Sequence, residues 1–239
     1  MQNSGNIEYV VDTNEVEPTL LKLDGVNDQI TGVTIDAREN QLIMKFQTVN
    51  VFAEDNENAM NDMAFRCFTA LAHKYGFSIS NMRRGGSKLP QKSGKLSTVI
   101  NTLDLRWNIE APLRHISGDV TTLLHNSTRT NEYDIQLIHQ FVVARSEIDN
   151  VSRFMFLYNL ALQIHSDNQR TLDESILRIE PKCTLSRSPI SDRNETIYTR
   201  LRNQVAHFRD NTNIEATRKE IDGVVGAFKQ VVFGMLPRI

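Results

Sequence analysis

The chain carries no glycine between Gly118 and Gly223. Tight turns, bulges and positive-φ connections draw on glycine, so a long stretch without it restricts what the backbone can build. Over that stretch the apolar residues recur at intervals of three and four, the period of amphipathic helices. Ile138, Phe141, Val142, Arg145, Ile148, Ser152, Met155, Tyr158, Leu162 and His165 mark one mostly apolar seam over residues 131–166. It reads as one long helix or as two joined near Asp149 and Asn150. Phe154, Leu157 and Ala161 widen the seam, so much of this surface must be buried. A short helix over 171–179 and a loop over 181–189 follow. A last helix over 214–233 turns Ile221, Val224, Val225, Phe228 and Val232 inward. Together these helices predict an α bundle.

The first 118 residues read differently. Residues 1–30 are acidic, with Glu8, Asp12, Glu15, Glu17, Asp24 and Asp28 facing only Lys22, and predict a solvated lead-in. Residues 30–36 and 41–52 are rich in Val, Ile, Thr and Phe and predict two strands, with Ala-Arg-Glu-Asn between them as a hairpin turn. Residues 54–75 change to helical period through Met60, Met63, Ala64, Cys67, Phe68, Leu71 and Tyr75, and Gly76 is a natural stop. His73 and Lys74 in the last turn suit the helix dipole. Residues 81–96 carry Arg83, Arg84, Lys88, Lys92 and Lys95 without an acidic residue, and Gly85, Gly86, Pro90 and Gly94 besides. Glycine and proline predict a loop there, and its unopposed positive charge suits a phosphate backbone. Residues 97–108, with Val99, Leu103, Leu105 and Trp107, predict a strand that closes the sheet. The expected fold is α+β: a small N-terminal β-sheet with a helix over residues 1–118, then a helical bundle over residues 119–239.

At 239 residues, 40% hydrophobic and 23% charged, the chain is long enough for a sizeable core and ordinary for a globular protein. A net charge of −2 does not mark a nucleic-acid binder by bulk electrostatics, so any RNA contact must rest on a local patch. Cys67 and Cys183 lie far apart without metal-ligand spacing, which points to a reducing compartment and leaves a bridge between them open. No run reaches the roughly 18 apolar residues of a membrane span, and the N-terminus has neither a basic nor an apolar leader region. The expectation is a cytoplasmic protein without a membrane partner.

The densest functional-looking polar stretch is SDRNETIYTRLRNQVAHFRD, residues 191–210. It reads as one helix. Ser191 or Asp192 can cap it, Asp192 and Glu195 have capping-box spacing, and Pro189 stops what precedes. Ile197, Leu201, Val205 and Phe208 supply the apolar stripe. Within it, Arg202-Asn203-Gln204-Val205-Ala206-His207 combines three useful chemistries. Histidine titrates nearest neutrality, so His207 can act as general acid or base. Arg202 offers a charged fork of donors matched to phosphate oxygens. Asn203 stands one turn before His207, within reach of its imidazole. Arg200 and Arg209 flank the motif as further phosphate ligands, whereas Glu195 reads as a capping partner rather than an acid catalyst. Arg202 and His207 lie about 140° apart round an ideal helix, so the two converge only if the arginine wraps, the helix loosens, or a second chain completes the site. His115, His125, His139 and His165 show no ligand spacing, and neither a metal site nor a cofactor motif is visible.

The Arg-Asn-x-x-x-His string, late in a helical region and after Glu-Thr-x-x-x-Arg-Leu, resembles the motif of HEPN domains, a family with many metal-independent endoribonucleases. The resemblance covers roughly the C-terminal half. The wider layout is similar to HEPN proteins encoded beside methylamine-utilisation genes. The resemblance implies a HEPN-like bundle, a homodimer through the helical domain, and a composite site in which Arg202, Asn203 and His207 of two copies face each other. It implies RNA as substrate and a toxin or phage-defence role with an antitoxin or defence partner; Arg83, Arg84 and Lys88 of the basic stretch are read as further RNA contacts from their charge, and no cofactor is expected. The competing expectation is a non-catalytic HEPN module that binds a nucleotide or a protein.

Overall fold

A computed structural model of the chain describes residues 3–13, 15–38, 40–54, 57–100, 113–188, 192–207 and 213–239. The chain divides into two compact units, Met1–Ile135 with Ile239, and Gln136–Arg238.

In the first unit, β1 (Ser4–Asp12), β2 (Thr19–Asn27), β3 (Ile30–Arg38), β4 (Gln41–Val49), β5 (Ser80–Pro90) and β6 (Leu96–Ile100) form one six-stranded sheet in the order β2-β3-β4-β1-β5-β6. Every pairing is antiparallel. Strand alternation explains the layering. Ile7, Tyr9 and Val11 of β1 stand opposite Phe46, Met44 and Leu42 of β4, which in turn face Val33, Ile35 and Ala37 of β3. All nine are buried, and burying each of the larger side chains contributes roughly 2 kcal/mol. The Tyr9 hydroxyl donates to Asn61 Oδ1 at 2.8 Å, so this apolar face is the one that α1 (Glu57–Tyr75) covers. Helix α2 (Val120–Arg129) packs on α1 and β2, and the His125 ring meets the Val26 carbonyl at 2.8 Å. Gly76, at φ +80°, ends α1, its N–H donating to the Ala72 carbonyl. Gly25 sits at the β2–β3 register shift, where a Cβ would lie 2.1 Å from the Ile30 carbonyl oxygen.

The second unit gathers α4 (Asn150–Ile164), α5 (Gln169–Ile179), α6 (Ile197–Ala206) and α7 (Ile214–Met235), with most of α3 (Glu132–Ser146) and the small hairpin β7 (Leu185–Arg187) and β8 (Asn194–Thr196). Phe154, Tyr158, Tyr198 and Phe228 form the aromatic centre of its core, with the Tyr198 and Phe228 rings stacked at 4.4 Å. The seam of residues 131–166 is two helices: Asp149 caps α4 by accepting from Ser152 N, and Ile148, in the break, is 90% exposed.

The architecture expected from the sequence, a small β-sheet with a helix ahead of a HEPN-like bundle, is corrected. The chain is an α+β fold with a large six-stranded antiparallel sheet in its N-terminal part, and the described residues form seven α-helices, α1 between β4 and β5 and the other six after β6. Two misread segments account for the difference. The acidic lead-in contains β1, a central strand: Glu8 stands opposite Lys45 on the polar face, and Asp12 accepts from Arg83 Nη1 at 2.8 Å and Asn81 Nδ2 at 3.1 Å. The basic, glycine-rich stretch is β5, whose partners across the ladder are β1 and β6. The strand expected over 97–108 begins at Leu96, and Leu103, Leu105 and Trp107 lie outside the described residues. Among the described residues no helix is long and apolar enough to cross a membrane.

Candidate functional site

The motif helix is shorter than its sequence suggested. It begins at Ile197, and its N-cap is Thr196, whose hydroxyl accepts from Thr199 N. Residues 194–196 are extended as β8, so Asp192 and Glu195 form no capping box. The helix stops at Ala206, leaving His207 as its C-cap at φ −127° and ψ 74°. Ser191, Phe208 and Arg209 lie outside the described residues.

A buried polar network holds the start of α6. The Asp173 carboxylate of α5, 6% exposed, accepts from the hydroxyls of Thr196 at 2.7 Å and Thr199 at 2.6 Å. A hydroxyl has one proton. Because Thr199 gives its proton to Asp173, the 3.0 Å contact between Tyr158 and Thr199 has the phenol as donor. The network therefore fixes the Tyr158 ring, and the Arg202 guanidinium carbon lies 5.7 Å from that ring's centroid, a cation–π contact.

A second, part-buried chain of hydrogen bonds runs through Asn203. Asn203 Nδ2 donates to Glu195 Oε2 at 3.3 Å. Its Oδ1 accepts from Gln169 Nε2 at 3.3 Å and from Arg202 Nη1 at 3.2 Å. Gln169 Oε1 accepts in turn from Arg193 Nη2 at 3.2 Å. Glu195 is 2% exposed. Burial, and then the nearby Asp173 carboxylate, raise its pKa, while the Asn203 hydrogen bond opposes them. Glu195 is thus part of the site's scaffold rather than a helix cap.

The structure brings Arg202 and Asn203 together, and among the described residues no hydrogen bond joins either to the His207 ring. His207 is exposed, and its backbone N–H donates to the Asn203 carbonyl at 3.1 Å. The Asn203 amide bonds Glu195, Gln169 and Arg202, and none of these bonds goes to the imidazole. Arg202 Nε has no hydrogen-bond partner among the described residues. One chain offers an anchored arginine and an exposed imidazole without joining them.

The expected flanking cations behave differently. Arg200 is held by Glu220 at 2.5 Å and Gln204 at 3.2 Å. Arg83 is paired with Asp12 at 2.8 Å, with side chains 23% and 16% exposed, and Arg84 donates to Ser87 Oγ at 2.6 Å. Lys88 is exposed on β5. These last three belong to the first unit, the motif to the second. The basic stretch is therefore not an unopposed loop.

Asp173, Gln169, Arg193 and Tyr158 were not singled out by the sequence. The available signal was Asp173 itself, an acid set between Leu172 and Ile176 on the buried face of α5. Among the described residues no group of three His, Cys, Asp or Glu is placed to hold a metal ion. Cys67 and Cys183 are both free thiols, and burial pushes the Cys67 thiol up to about 12. The chain matches no protein-family model, no curated protein and no solved structure.

Proposed function

We propose that the chain is a metal-independent endoribonuclease related to the HEPN family, acting as a homodimer that joins two copies of α6. The observation that carries this reading is the pairing on one short helix of an anchored arginine with an exposed imidazole that has no side-chain partner among the described residues. In the reaction, one His207 removes the proton of a 2′-hydroxyl, and the 2′-oxygen bonds to phosphorus. The bond from phosphorus to the 5′-oxygen breaks, and His207 of the second copy protonates the leaving oxygen. Arg202 holds the phosphate and offsets the charge on its oxygens. The products are a 2′,3′-cyclic phosphate and a 5′-hydroxyl. Such an enzyme fits a cytoplasmic toxin or phage-defence effector restrained by an antitoxin or a trigger.

A second reading is favoured by the hydrogen bonding of Asn203. An amide held by Glu195, Gln169 and Arg202, beside an arginine lying on Tyr158, suits a motif kept for structure in a non-catalytic nucleotide- or protein-binding module. Purified wild type and His207→Ala, incubated with total or transfer RNA in excess EDTA, separate the two. Cyclic-phosphate fragments from wild type alone establish the nuclease. Equal activity in both places the chemistry elsewhere, and a strictly monomeric chain at micromolar concentration removes the composite site.

A further inference from the structure

A cavity of about 150 Å³ opens beside the C-terminal turn of α6. Val151, Val205 and Ile214 supply its apolar walls, and Asp149, Gln204 and Arg218 its polar rim. The rim is ordered by known contacts. Arg218 Nη2 donates to Asp149 Oδ1 at 3.1 Å, and Asp149 Oδ2 accepts from Ser152 N and Oγ. Gln204 Oε1 accepts from Arg200 at 3.2 Å, which turns the Gln204 amine away from that contact as a donor. The opening thus presents donors from Arg218 and Gln204 next to a carboxylate acceptor on Asp149.

Size and chemistry narrow the occupant. A volume near 150 Å³ accepts about one six-membered ring and falls well below the roughly 300 Å³ at which drug-sized ligand pockets begin. Apolar walls suit the faces of a planar ring. A donor and an acceptor side by side at the rim suit an edge with a carbonyl beside a ring N–H. Gln204 and Val205 lie three and two residues before His207, so the cavity opens on the same helical turn that ends at the imidazole.

We propose that this cavity takes the base of a nucleotide beside the scissile phosphate and selects uracil over cytosine, with the two-ring purines excluded by its volume. Uracil carries a ring N–H next to a carbonyl. Cytosine presents a ring nitrogen acceptor there, which would face the Asp149 carboxylate lone pair to lone pair. The placement beside the cut rests on the ribonuclease reading; the base selectivity of the cavity does not.

The test is equilibrium binding of UMP, GMP, CMP and AMP to the full chain, run alongside mapped cleavage of RNA. The expected result is binding of UMP about tenfold tighter than CMP, a difference within the reach of one good base-edge pair, with GMP and AMP weaker than UMP because of their second ring. Arg218→Leu and Gln204→Ala lose that preference, whereas His207→Ala keeps it. Gln204→Ala removes only one contact to Arg200, so it reports on the cavity even if Arg218→Leu fails to fold. Equal binding of all four nucleotides, no binding, or an unchanged preference in Gln204→Ala overturns the proposal. Selective binding without cleavage sustains the cavity and defeats the nuclease; cleavage without selective binding does the reverse.

Discussion

The Asp173 carboxylate accepts the Thr199 hydroxyl at 2.6 Å, across a sequence separation of 26 residues. With the Thr196 hydroxyl at 2.7 Å on the same oxygen, this bond ties α5 to the first turn of α6. Asp173→Ala removes the shared charged acceptor of two buried hydroxyls. The expected loss is about 3 kcal/mol, because hydrogen bonds to a charged group are the stronger kind. Asp173→Asn retains an oxygen acceptor and should cost about 1 kcal/mol. Urea unfolding of both variants checks this, and equal losses would show that shape rather than hydrogen bonding matters at this position.

Glu195 gives the second unit a pH dependence of definite sign. Its pKa in the folded chain is raised, by burial first and by Asp173 second, above the ordinary 4.5. The folded state therefore binds more protons than the unfolded state once the pH passes that ordinary value, and stability falls as pH rises through the window above it. Glu195→Gln keeps the shape and an acceptor for Asn203 but has no proton to lose. Subtracting the two stability profiles should give a difference that favours the variant increasingly from about pH 4.5 upward, levelling off above the raised pKa. A flat difference would mean that the carboxyl is solvated as in the unfolded chain.

Periodicity showed what local geometry decides, and little of what depends on partners distant in sequence. Helix α1 and the seam that became α3 and α4 were readable because their apolar residues repeat every three or four positions, and Gly76 marked a real stop. β1 was hidden because Glu8 and Asp12 look like solvated charge until Lys45 and Arg83 are brought opposite them. β5 was hidden by Gly85 and Gly86, which fall at the register shift where β1 and β5 slip past each other. In the motif, the sequence expected Asn203 to orient the His207 ring, whereas its side-chain bonds go to Glu195, Gln169 and Arg202. The end of the helix at Ala206 and the capture of Asn203 by Glu195 and Gln169 were not visible, since neither leaves a trace in residue spacing.

The Arg83–Asp12 pair links β5 to β1 inside the sheet, and its role there is structural. Arg83→Ala and Asp12→Ala should each destabilise the first unit. The double variant should lose less than the sum, with a coupling of about 1 kcal/mol for a partly screened pair. Raising the salt concentration should shrink that coupling only modestly, because the side chains are largely withdrawn from solvent. RNA affinity in gel shift should be unaltered by Arg83→Ala if the arginine is already neutralised by Asp12; a clear drop would restore it as a phosphate contact.

Phe228 connects the site to the core. Its ring stacks on Tyr198 at 4.4 Å and lies 5.3 Å from Phe154 and 6.1 Å from Tyr158, the ring over which Arg202 is placed. Phe228→Ala should cost about 4 kcal/mol from lost burial and the cavity left among three aromatic neighbours. Phe228→Leu fills most of the space and should cost less than half of that. Because Tyr158 is held from its other end by Thr199 and Asp173, Phe228→Leu should leave the Arg202 guanidinium where it is. RNA cleavage measured well below the unfolding temperature should then stay within about twofold of wild type, a change under 0.5 kcal/mol in barrier. A tenfold fall in that variant, with its fold intact, would show that core packing and not the Asp173 network sets the position of Arg202.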